Sequence, residues 1–75
     1  MNNYKYQVML DVLVSGEVQS DPQRARGDEF DTFDSAKAFA VGLGRGAWVD
    51  VWDTNGHYVE HFTSEDIGVE PVGKV

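Results

Sequence analysis

From Tyr6 onward the even positions are apolar (Tyr6, Val8, Leu10, Val12 and Val14), and Lys5, Gln7 and Asp11 fall between them. A period of two predicts a half-buried strand that begins near Tyr4 or Lys5. Met9 and Leu13 break the alternation, so the second face of this strand is either partly covered or continues an apolar surface from elsewhere. Ser15-Gly16 ends the strand. Glu17 to Gly27 carries the weakest pattern, with Ser20-Asp21-Pro22 as a turn signal, and a second strand is expected from about Arg24 to Phe30, pairing back on the first.

The period then changes. Ala36, Phe39, Ala40 and Leu43 fall at i, i+3, i+4 and i+7, which predicts one helix with a narrow apolar stripe. Asp34 is the expected N-cap, with Phe33 before it as a hydrophobic staple. Gly42, Gly44 and Gly46 stop the helix, Gly44 being the expected left-handed C-cap, and Arg45 lies near the negative end of the helix dipole. The glycine run imitates a phosphate loop, but it follows a helix where such a loop precedes one.

Trp48 to Phe62 returns to a period of two around Thr54-Asn55-Gly56, a strong hairpin signal. With Asn55-Gly56 alone as a two-residue turn, Val49 and Val51 share a face with Asp53, Tyr58, Glu60 and Phe62. With a three-residue loop closed by Gly56, Asp53 pairs with His57 and Val51 with Val59. Val49, Val51 and Val59 then line one face, and Trp48, Trp52, Tyr58 and Phe62 line the other, with Asp50 and Glu60 between them. The second register is preferred because it alone sorts the side chains, and it turns the valine face toward the helix. Beyond it, Thr63 to Ile67 is expected to make one short turn, and Gly68 to Val72 an extended segment or edge strand. The pattern as a whole predicts a single α+β domain of order β(β)αββ, a small antiparallel sheet with one helix packed on one face.

Seventy-five residues bury only about 60–65% of the unfolded surface, so a groove or flat surface is expected in preference to an enclosed active site. The chain has no cysteine, which removes disulfides, thiolate metal sites and a thiol nucleophile, and agrees with a reducing cytosol. No apolar run is long enough for a signal peptide or membrane span, and a cytoplasmic protein is expected. Thirteen acids oppose six bases, a net charge of −7. Such a balance disfavours direct binding to nucleic acid or anionic lipid. It serves solubility, or it steers the chain toward a basic partner.

The chemistry-bearing residues narrow the class further. Asp28, Glu29, Asp31 and Asp34 lie within seven residues that contain no base, with Phe30 and Phe33 among them. They form a solvated loop, or a short ordered run that imitates phosphate spacing; a calcium site is a third reading without a recognisable loop pattern. His57 and His61 are four apart, which on a strand is roughly 13 Å, too far to share a metal. Asp53, Asn55 and Gly56 resemble part of a calcium loop but are also the residues this turn requires. Arg26-Gly27-Asp28 is a chance-level match to an adhesion tripeptide. The serines have no nucleophile-elbow context and no oxyanion-hole loop is evident, so no enzyme, cofactor or metal is expected.

Trp48, Trp52, Tyr58 and Phe62 make a patch of large rings that is either covered by the first strand or the tail, or free to bind a partner or a second copy of the chain. The run from Phe33 to Gly56 resembles the helix-then-hairpin pattern of many small bacterial and phage domains. In size, acidity, lack of cysteine and absence of catalytic residues, the chain resembles phage-encoded inhibitors of the anti-CRISPR type. That resemblance is one of kind and transfers no individual residue. It implies occlusion of a basic, nucleic-acid-binding surface on a host complex; the acidic segment and the hairpin face themselves, not the resemblance, offer Asp28, Glu29, Asp31, Asp34, Trp48, Asp50, Trp52, Tyr58, Glu60 and Phe62 as the expected partner contacts. The alternative is a structural or accessory subunit that self-associates through its aromatic hairpin face.

Overall fold

The computed structural model describes residues 3–22 and 29–73. Strand β1 (Tyr4–Val14) is followed by β2 (Glu17–Pro22), β3 (Glu29–Phe30), helix α1 (Phe33–Leu43), β4 (Ala47–Asp53), β5 (Tyr58–Phe62) and a four-residue helix α2 (Ser64–Ile67). All strand pairs are antiparallel, in the order β2-β1-β4-β5, and β3 shares with β2 the edge of β1 away from β4. The α+β class, the antiparallel sheet and the main helix are those the sequence pattern predicts.

The long first strand runs from Tyr4 as its alternation requires. Tyr6, Val8 and Leu10 stand opposite Val51, Val49 and Ala47 on β4, and these six share the face under the helix. Ala36 and Ala40 of α1 are fully buried against them, with Val8, Ala47 and Val49 equally inaccessible. Alanines bring the helix axis close to the sheet. Phe33, Phe39 and Leu43 then fill its flanks, Phe33 meeting Phe62 at 4.5 Å and Phe39 meeting Phe30 at 5.4 Å between ring centroids.

Two expectations are corrected and two are narrowed. The helix begins earlier than predicted, because Thr32 is the N-cap and its hydroxyl accepts from Ser35 N at 3.2 Å; Asp34 lies in the first turn, where its charge complements the positive end of the dipole. Glu17 to Pro22, in the section of weakest pattern, is a strand. Ser15 and Gly16 both take positive φ, 53° and 82°, the sign needed at both centres of a two-residue turn whose twist matches its strands. Of the expected second strand, Glu29–Phe30 is present opposite Gln7 and Tyr6, and the remainder, Arg24 to Asp28, lies outside the described residues. Of the two forms expected for Gly68 to Val72, the edge strand is not taken: the segment joins no sheet and is held by a bond from Gly46 N to Glu70 O, 2.7 Å.

The β4–β5 turn follows the preferred register at its tip. Asp53 N donates to His57 O at 2.9 Å, and the Asp53 carboxylate accepts from the backbone of Asn55 and His57, both at 2.9 Å. Trp52 pairs with Tyr58, but the next pair is Val51 with Glu60. Val59 is an extra residue, a β-bulge, and it is left exposed. Every later side chain changes face. Phe62 therefore stands opposite Val49 in the core, and Glu60 opposite Val51.

Candidate functional site

The face of the sheet away from α1 carries an open groove of about 580 Å³, lined by Asp11, Trp48, Asp50, Trp52, Tyr58, His61, Thr63, Ser64 and Pro71. Strand β4 supplies Trp48, Asp50 and Trp52 because alternate residues point to one side of a strand. Strand β5 adds Tyr58, opposite Trp52, and the bulge beyond it turns His61 to the same side. A direct register would have placed Phe62 here, and that expectation is overturned by its pairing with Val49. Glu60 likewise leaves the ring face, pointing to the helix side at the exposed outer edge of the sheet.

The rings form a connected row. Trp52 meets Tyr58 edge-on at 5.5 Å, Tyr58 stacks with His61 at 6.2 Å, and Trp48 meets His61 edge-on at 6.2 Å. Two hydrogen bonds fix the row. Trp48 Nε1 donates to Asp11 Oδ1 at 2.7 Å, an oxygen that also accepts from the Ser20 hydroxyl. The Tyr58 hydroxyl and His61 Nδ1 are hydrogen-bonded to each other. Among the described residues Trp52 Nε1 is buried without a partner, the kind of orphaned donor that native structures seldom keep.

Asp50 lies between the two tryptophans and opposite His61 and Gln7. Partial burial among the rings pushes its carboxyl above the usual range, and His61 opposes that shift. No described residue donates a hydrogen bond to its carboxylate. Tyr58 is pushed up as well, by desolvation first and then by the charges of Asp50 and Glu60. The groove thus combines a mostly aromatic wall with an unneutralised acid at its floor.

The structure divides the acidic segment among several elements. Glu29 sits on β3, Asp31 pairs with Lys5 at 2.7 Å with both side chains exposed, and Asp34 is on α1. Lys5 holds the Asp31 carboxyl below its ordinary range through their hydrogen bond and charge. Asp28 lies outside the described residues. Asp11, His61, Thr63, Ser64 and Pro71 complete the groove and were absent from the sequence expectation. His61 depends on the bulge, and Ser64 and Pro71 on a tail anchored by Ser64 Oγ to Ala47 O at 2.7 Å.

The tail walls the groove at Pro71; Trp48 and Trp52 are half-buried, and Tyr58 keeps 50% of its surface exposed. Among the described residues no three His, Asp or Glu are placed to hold a metal ion, and no helix is long and apolar enough to cross a membrane. His57 rests beside Asp53 at 3.5 Å, apart from His61 and the groove lining. No protein-family model, curated protein or solved structure matches the chain.

Proposed function

We propose that this chain is a non-catalytic protein-binding module, a small acidic inhibitor of the anti-CRISPR kind, that acts in the cytoplasm by occupying a basic, nucleic-acid-binding surface of a host complex. The open groove of Trp48, Trp52, Tyr58 and His61 around Asp50 carries this reading. Interface hot spots favour Trp and Tyr set in a pocket, and a carboxylate among them selects a basic counterpart. The net charge of −7 supplies attraction at long range and disfavours binding to nucleic acid itself.

A second reading is self-association. It is favoured by Leu13 and Val18, which pair across the β1–β2 hairpin on the groove side of the sheet while 56% and 52% exposed.

Ionic strength separates the two. The tagged chain is used to capture proteins from bacterial lysate at about 50 mM and about 500 mM salt, a range over which exposed charges become screened. The inhibitor reading expects a basic nucleic-acid-handling complex that is retained at low salt, lost at high salt and displaced by its own DNA or RNA. Capture of the chain alone, with a dimer that survives high salt, overturns it in favour of self-association.

A further inference from the structure

Resting on the reading of the chain as a protein-binding module, we propose that the groove receives an arginine side chain of the partner, its guanidinium paired with the Asp50 carboxylate and flanked by the indoles of Trp48 and Trp52. Charge complementarity is the first argument. Asp50 is partly buried, and its carboxylate receives no hydrogen bond from a described residue, although His61 stands opposite. A carboxylate withdrawn from water costs free energy until a cation or donor reaches it.

The rings supply the second argument. Asp50 stands between Trp48 and Trp52 on one strand, with the three side chains on the same side of the sheet, so a cation that pairs with its carboxylate enters between two indoles, the rings that attract cations best. Trp48 is locked by its bond to Asp11 and Trp52 by its contact with Tyr58, so little side-chain freedom remains to be lost on binding. Arginine fits this geometry better than lysine. Its guanidinium is planar, weakly hydrated and able to donate two parallel bonds to one carboxylate, whereas an ammonium is a strongly hydrated point charge. The groove is also an open row of rings, unlike the closed cage that takes a methylated ammonium.

The test compares nona-arginine with nonalysine, peptides of equal charge, by tryptophan fluorescence at about 150 mM salt. The wild-type chain is expected to bind nona-arginine about tenfold more tightly. Asp50→Asn should abolish most of that preference, while Glu17→Gln, which removes the same charge from the distant end of β2, should weaken both peptides alike. In the unaltered chain, both indole N–H resonances should shift on addition of nona-arginine. Equal affinity for the two peptides, unmoved indoles, or equal effects of the two substitutions overturn the arginine site. A chain that still captures its salt-sensitive partner without arginine preference loses this proposal alone. Arginine preference without capture of a nucleic-acid-handling complex leaves the site standing and overturns the proposed target.

Discussion

At the scale of single residues, two glycines four positions apart have opposite roles. Gly46 takes φ +88°, donates to Glu70 O, accepts from Asp11 N at 2.9 Å, and leaves no room for a side chain. An added Cβ would fall 2.4 Å from both the Asp11 carbonyl oxygen and Val72 Cγ2. Gly46→Ala should therefore cost about 2–4 kcal/mol in urea unfolding, since both backbone strain and a backbone clash oppose it. Gly42 lies inside α1 with open space around it, so Gly42→Ala should add about 0.5–1 kcal/mol. A matched pair of losses would remove this account. The glycine run was legible as the end of a helix, but the role of Gly46 was not, because the groups that press on it, Asp11 of β1 and Val72 of the tail, are distant in sequence and leave no local pattern.

At the scale of elements, the Val59 bulge decides which part of the hairpin is core and which is site. Alternation along β4 was legible, and it placed Trp48, Asp50 and Trp52 on one face and Val49 and Val51 on the other. The three-residue turn was legible too, through Asp53, Asn55 and Gly56. A bulge has no comparable signature: Tyr58-Val59-Glu60-His61-Phe62 reads equally well without one, and the fit of Phe62 against Phe33 and Val49 is a long-range matter. The bulge predicts that Phe62→Ala costs about 2–4 kcal/mol, as a core ring does, while Val59→Thr stays within about 0.5 kcal/mol. An unbulged register predicts the reverse ordering, so urea midpoints of the two variants distinguish them. The β1–β2 hairpin was missed for a related reason. Its strand β2 packs little apolar surface, and Val18 stays exposed, so the turn Ser15-Gly16 carries most of the specification that the composition does not.

For the whole molecule, the excess of thirteen acids over six bases means that folding compresses like charges, and its cost should show in the dependence of stability on pH. As pH falls from 7, carboxylates begin to protonate and that repulsion weakens. Asp50 acts in the same direction: its folded pKa is raised, so the folded state takes up its proton first, and stability rises as pH falls through that folded value. Asp31 and Asp53 act in the opposite direction. Lys5 lowers the first, and backbone bonds from His57 and Asn55 lower the second, so their contributions hold above the unfolded value of about 3.8 and are lost as pH falls through the lowered ones. Urea unfolding at constant ionic strength should therefore show stability rising as pH falls from 7 into the carboxylate range and falling below about 3.5; a steady decline from pH 7 downward would sink the argument. Salt divides the rise into its parts. About 0.5 M NaCl screens the exposed charges but acts little on a partly buried carboxylate, so it should flatten most of the rise and leave a remainder. Asp50→Asn should remove that remainder and raise stability at pH 7, because the same burial that prepares Asp50 for a cation destabilises the free protein.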